Sequence, residues 1–210
     1  MPNTVEQHLK AMESLGGLAA LGGPSMDNMY HSGWAWAGST PFQATKLVAA
    51  YFGGTRNPLV VSWPARIKAD KAPRTQFHHV NDIVPTIYEV LGITPPVSVN
   101  GQPQNPIDGT SMKYSFNDAN AKDQKTEQYF ENSGSRALYK DGWIASAFGP
   151  FVPWQASLPF NAKWDPDTDA WALYELSKDF SQATDVSGSE KERLAAMKAR
   201  FLEVAKDNKA

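Results

Sequence analysis

Apolar positions recur along this chain with two different periods, and the period shortens after Ser111. In the first part the spacing is helical. Val5, Leu9, Met12 and Leu15 fall on one face, and Gly16-Gly17 ends that helix. Leu18 to His31 is rich in Gly, Pro and Asn and reads as a loop. Thr40-Pro41-Phe42-Gln43 then reads as a helix start, with Thr40 as N-cap, Pro41 at the first helical position and Gln43 closing a capping box. The pattern predicts a helix to about Phe52, stopped by Gly53-Gly54. Leu59-Val60-Val61-Ser62-Trp63 is a short continuous apolar run, as expected for a strand covered on both faces. Asn81 or Asp82 caps another helix, whose face is Ile83, Val84, Ile87, Val90 and Leu91. Pro85 falls in its first turn and Gly92 closes it.

Beyond Ser111 the runs become short and strand-like: Gln128–Glu131, Arg136–Tyr139, Trp143–Phe148 and Trp171–Leu176. Lys140-Asp141-Gly142 offers a hairpin turn between two of them. Ser189 to Glu192 reads as a capping box opening a last helix, with Leu194, Met197, Phe201 and Val204 at 3-4-3 spacing. The expected architecture is α/β over 1–115, then a small antiparallel β subdomain with a terminal helix over 116–210. The Pro/Gly/Asn-rich loop Thr94–Gly109 is the candidate seam.

Composition narrows the partners. With 210 residues, 41% hydrophobic and 20% charged, the chain can bury a substantial core. A formal charge of −2 argues against nucleic acid or an anionic membrane surface as partner. No apolar run approaches the roughly 18–20 residues of a membrane span. The amphipathic N-terminus does not read as a signal peptide. The absence of cysteine removes disulfides, thiolate metal sites and a cysteine nucleophile. Four histidines, His8, His31, His78 and His79, are too few and scattered for an all-histidine metal site.

Between Ser32 and Thr55 the only formal charge is Lys46. In the predicted helix it shares a face with Phe42 and Ala49, so its ammonium either snorkels to solvent or meets an anion. His31, Trp34 and Trp36 either line a substrate mouth or pack in a core. Asp27-Asn28 has the oxygen ligands of a hard cation, but residue preference favours a turn. His78 and His79 stand at a helix start, where contacts with solvent or the cap are expected. Gly53-Gly54-Thr55-Arg56 lacks the spacing and lysine of a P-loop.

Taken in order, several segments resemble the C-terminal half of bacterial arylsulfatases. They are Gly33-Trp-Ala-Trp-Ala37, Thr40-Pro-Phe-Gln43 with Thr45-Lys46, Gly53-Gly-Thr-Arg-Asn57 and Val60-Val-Ser-Trp-Pro64. His79-Val-Asn-Asp-Ile-Val-Pro-Thr86 with Leu91-Gly-Ile93, Asp108-Gly-Thr-Ser111, Phe130-Glu131 and Leu173-Tyr-Glu-Leu176 continue the series over nearly the whole chain. The resemblance implies the C-terminal part of an alkaline-phosphatase-like domain and hydrolysis of an aryl sulfate ester. It places Lys46 on the sulfate oxygens, where an ammonium suits developing negative charge. The parent enzyme would use a formylglycine nucleophile and a calcium ion.

In that family the formylglycine motif, the calcium carboxylates and the other sulfate-holding groups lie upstream of this segment, and nothing in this chain replaces them. The expectation is therefore a catalytic residue and metal ligands outside this chain, a small-molecule sulfate ester as substrate, and an N-terminal half as partner. Ser62-Trp63-Pro64-Ala65-Arg66 does fit the short form Cys/Ser-x-Pro-x-Arg of the modification site, but Ile67-Lys68-Ala69 does not continue it. Two other readings stand beside this one. One is a phosphonate or phosphodiester hydrolase of the same superfamily; the other is a non-catalytic module that binds an upstream half. The central character of the Leu59–Trp63 run further predicts exposed sheet edges and a sticky isolated chain.

Overall fold

Capping sets the start of the first helix. The Thr4 hydroxyl accepts from the Gln7 N–H and the Gln7 side chain accepts from the Thr4 N–H, both at 3.2 Å, which places α1 at Val5–Ser14. The structure is a computed structural model that describes residues 4–26, 32–150 and 164–208. After α1 come α2 (Ser32–Ser39), α3 (Phe52–Thr55) and α4 (Ile83–Leu91), then the two-residue strands β1 (Ser98–Val99) and β2 (Gln102–Pro103). The chain continues with β3 (Glu127–Asn132), β4 (Ser135–Lys140), β5 (Trp143–Ala147), β6 (Ala172–Glu175) and α5 (Lys191–Asp207). No described helix is long and apolar enough to cross a membrane.

The described residues form two compact units, Met1–Asn57 with Tyr129–Tyr139 and Trp143–Ala210, and Pro58–Gln128 with Lys140–Gly142. These units follow packing within the chain.

The first unit is built on the sheet β3-β4-β5-β6, strands in sequence order, which is the small sheet expected from the strand-like runs. Ser133-Gly134 (φ 52° and 85°) and Asp141-Gly142 (φ 48° and 83°) turn the chain between β3 and β4 and between β4 and β5. Positive φ at both positions matches the right-handed strand twist. β5 and β6 are antiparallel, with Trp143 opposite Glu175 and Ile144 opposite Tyr174. Alternation then gives two cores. Leu138, Ala145 and Leu173 meet Met197, Phe201 and Ala205 of α5, while Ala137, Ile144 and Tyr174 meet Phe52 on the other face. Phe201 stacks on Tyr129 at 4.7 Å and meets the Trp171 edge at 5.2 Å. Arg136 lies against the rings of Trp164 and Trp171 and pairs with Asp169 at 2.9 Å.

Four elements differ from the sequence reading. The helix expected over 40–52 does not form: α2 ends at Ser39 and turns follow to Tyr51. Ala44 and Leu47 take φ of 65° and 75°, outside any right-handed helix, and Gly53-Gly54 lie inside α3 instead of stopping a helix. Leu59–Trp63 does not form the expected strand: no described segment pairs with it, and Val60 is 89% exposed. The capping box at Ser189 is not made: Glu190 is the N-cap of α5, and Ser189 Oγ donates to the Val186 carbonyl. Finally, the apolar faces of α1 and α4 exist but are not buried; among them Val5, Leu9, Ile87 and Leu91 are exposed.

In the second unit α4 and the short helical turn Val80–Asp82 before it hold a network around Asp82, which is fully buried. Gly92 closes α4 in the left-handed conformation, as expected. The Thr94–Gly109 segment folds part of its length into the β1–β2 pair.

Candidate functional site

The lysine singled out by sequence sits at the tip of a braced loop in the first unit. Along Ala44–Ala50 the residues Ala44, Thr45, Val48, Ala49 and Ala50 are buried, while Lys46 and Leu47 face solvent. The Lys46 carbonyl accepts from Thr45 Oγ1 at 3.4 Å, while its ammonium makes no hydrogen bond or ion pair with a described residue. Left-handed backbone at two non-glycine residues costs about 1–2 kcal/mol each, so other contacts must fix the loop.

Gln182 supplies them from the segment after β6. Its side chain donates to the Ala50 carbonyl at 3.0 Å and accepts from the Phe52 N–H at 2.8 Å. Its own carbonyl accepts from the Gln43 side chain. The Ala50 N–H is taken by Ser135 Oγ of β4 at 3.0 Å. Both backbone groups of Ala50 are thereby satisfied in a place that water does not reach. From below, Gly53 and Gly54 close the loop: a Cβ at Gly53 would strike the Gln43 and Ala44 carbonyls, and one at Gly54 the Val48 carbonyl. At the loop's base Phe42 packs edge-on against Phe52 and Phe180, and the Arg56 guanidinium lies 4.9 Å from the Phe42 ring centre. The result is a single ammonium held out on a rigid backbone.

His31 and Asp27-Asn28 lie outside the described residues. Trp34 and Trp36 are on α2 and exposed (74% and 40%), so neither packs in a core. Ser62 is exposed, and a turn Pro64–Arg66 follows it, with the Arg66 and Ile67 N–H groups donating to the Trp63 carbonyl.

The second unit shows what the His79–Thr86 and Asp108–Ser111 motifs do locally. Asp82 accepts from the His79 N–H at 2.7 Å, from the Thr110 N–H at 2.8 Å and from Lys125 Nζ at 2.8 Å. Lys125, itself buried, also donates to Asn81 Oδ1 at 3.1 Å. Thr86 Oγ1 donates to the Asp82 carbonyl and accepts from the Met112 N–H, both within 2.8 Å. A Cβ at Gly109 would meet the Asn81 carbonyl, so glycine lets the turn lie against the helix start. Burial holds the His78 and His79 imidazoles below their ordinary pKa. His79 caps the turn, accepting from the Asn81 N–H. This is a structural ion-pair hub.

Sequence reasoning missed Gln182, Ser135 and Lys125. Each is a polar residue in a stretch with no apolar periodicity, so no local pattern marks it as buried. Among the described residues no three His, Asp or Glu gather where they could hold a metal ion.

No known protein-family profile matches the chain, and no curated protein matches it by sequence. A solved structure from Bacteroides thetaiotaomicron matches it in fold. It is labelled BT33336S-sulf and described under the metabolism of multiple glycosaminoglycans, and it superposes with a TM-score of 0.56 at 20% identity. The match covers 76% of this chain and 31% of that one, so this chain spans about a third of its length. Two further structures, Ps i-CgsB and a complex with D-glucosamine-2-N,6-O-disulfate, score 0.41 and 0.37 at 20% and 18% identity. They cover 63% and 61% of this chain and 25% and 24% of their own, and at those scores carry no weight here. The chain thus has a sulfatase-like fold, consistent with the C-terminal part of a sulfatase domain with its small sheet and C-terminal helix.

Proposed function

We propose that this chain is the C-terminal part of a sulfatase that hydrolyses aryl sulfate esters, with Lys46 contacting the sulfate. The observation that carries the reading is the Lys46 ammonium on its clamped loop, without a partner among the described residues. Around it stand the collinear motifs and the sulfatase-like fold. Three donors on a compact, protonated amine suit the peripheral oxygens of a sulfate as the S–O bond breaks. Holding the loop rigid beforehand means that little ordering cost falls on the reaction itself. In this reading 1–115 continues an alkaline-phosphatase-like α/β domain, 116–210 is the small antiparallel subdomain, and His31 stands near the substrate mouth. Calcium and formylglycine belong to the parent enzyme, and no step is assigned to them through the residues described here.

The test is turnover of 4-nitrophenyl sulfate by the 210-residue chain and by the product of its reading frame extended upstream of Met1. The chain alone is expected to be inactive and the longer product active. Lys46→Ala is expected to lower kcat/KM of the longer product roughly 10²–10³-fold, the usual loss for one donor to a developing oxyanion. Wild-type turnover by the short chain, or full activity in the Lys46→Ala product, refutes the reading. Preference for a phosphonate or phosphodiester over the sulfate ester favours the sister activity instead.

A further inference from the structure

The two shortest strands, both in the second unit, are joined by a chemically reactive turn. β1 and β2 pair antiparallel, Ser98 opposite Pro103 and Val99 opposite Gln102. Asn100-Gly101 link them with φ of 51° and 78°, the positive pair that a two-residue hairpin turn needs. Both turn residues and all four strand residues are exposed. A two-stranded ribbon with no buried face is marginal, so this one opens at little cost. The Asn100 side chain and the Gly101 N–H make no hydrogen bond with a described residue. Nothing lies within 4 Å of where a Cβ on Gly101 would stand.

Asparagine is thermolabile because its side-chain amide is an internal electrophile. The nitrogen of the next residue attacks Cγ and closes a five-membered ring. A bond forms between that nitrogen and Cγ, the bond from Cγ to the side-chain nitrogen breaks, and ammonia leaves with the proton of the attacking N–H. Water then opens the cyclic imide at either carbonyl. Cleavage at Cγ gives aspartate; cleavage at the main-chain carbonyl gives isoaspartate, whose backbone runs through Cβ. The balance is amide plus water to carboxylic acid plus ammonia, with no oxidant or cofactor. A side chain on the following residue crowds the attack, and glycine has none. Of the eleven asparagines only Asn100 precedes a glycine. Asn57 and Asn105 precede prolines, which have no N–H to attack with. Asn81 and Asn117 are held through Oδ1 by Lys125 Nζ and by the Lys68 N–H, at 3.1 and 2.9 Å. We propose that Asn100 is a site of spontaneous deamidation, through a cyclic imide with Gly101, to aspartate and isoaspartate. The inference is independent of the proposed function. Isoaspartate adds a backbone atom inside a turn that spans only two residues. Either product replaces one neutral amide by one carboxylate, so the formal charge goes from −2 to −3.

Timed incubation at mildly alkaline pH tests it, on the 210-residue chain beside a free peptide of residues 97–104. Peptide mapping by mass spectrometry, with fragmentation that separates isoaspartate from aspartate, locates the product. Conversion at residue 100 should run within roughly tenfold of the rate in the peptide, since the hairpin opens at little cost. It should also outpace conversion at every other asparagine. Isoelectric focusing should show one more acidic band growing in step, and Asn100→Gln, which would have to close a larger ring, should lack that band. Residue 100 intact when the peptide is fully converted overturns the proposal. So does an acidic band that grows undiminished in Asn100→Gln, because the reactive site is then elsewhere.

Discussion

Replacing Gln182 with leucine tests whether one buried amide organises the lysine loop. Leucine has similar volume, so the packing is largely kept while both side-chain hydrogen bonds go. The Ala50 carbonyl and the Phe52 N–H, bonded to Gln182 at 3.0 Å and 2.8 Å, lie at residues only 1% and 5% exposed, so water cannot replace the lost partner. Each stranded group costs about 1–3 kcal/mol, for a total of roughly 2–6 kcal/mol. That is a large part of a typical stability, and at about 2–4 °C per kcal/mol it lowers the melting temperature by roughly 4–24 °C. Thermal melts followed by circular dichroism measure the shift, and hydrogen exchange at Phe52 reports the loop itself. Ser135→Ala removes the acceptor of the Ala50 N–H at 3.0 Å, and its effect should be non-additive with Gln182→Leu because both substitutions strip the same residue. A Gln182→Leu melt within 1 °C of the parent, with Phe52 still protected, would refute the clamp.

Lys125→Met should destabilise the second unit by about 3–5 kcal/mol, since it leaves the fully buried Asp82 carboxylate without its cation. Urea denaturation measures this, and accelerated exchange of the Thr110 amide locates it. The pH dependence follows from His78 and His79, whose folded pKa values burial holds below the ordinary 6.5. Below about pH 6.5 the unfolded state takes up protons that the folded state does not, so stability falls as pH drops through 6.5 toward the depressed values. Melts between pH 7.5 and 5.5 should show that loss, and His78→Asn should reduce it.

What the sequence made legible was whatever is settled locally or within the chain. The runs from Gln128 to Phe148 became β3 to β5 because their turns carry Ser133-Gly134 and Asp141-Gly142 and because both faces of the sheet find partners in Phe52 and α5. α4 was legible from its apolar spacing and its Gly92 stop, which are local; the cap expected at Asn81 or Asp82 is not made by a side chain, and the Asp82 carboxylate takes Thr110 and Lys125 instead. The segment 40–52 misled because its apolar spacing fits a helix, while tertiary hydrogen bonds from Gln182 and Ser135, 130 and 85 residues away, impose turns instead. The apolar run Leu59–Trp63 misled too, because it reads as a buried strand while no described segment pairs with it and Val60 is 89% exposed. Lys46 was legible as a lone charge; the brace that holds it was not, because a buried glutamine leaves no periodic trace.

The distance between Gln182 and the loop it clamps also has a consequence for biosynthesis. Phe52 and Gln182 are separated by 130 residues, and at ~5–20 residues per second a ribosome takes about 7–26 s to make the difference. Through that interval the lysine loop has emerged with two left-handed residues and no glutamine to hold them. Its final shape is therefore a late event of synthesis, and a message cut short before codon 182 yields a chain that contains Lys46 but never sets its position.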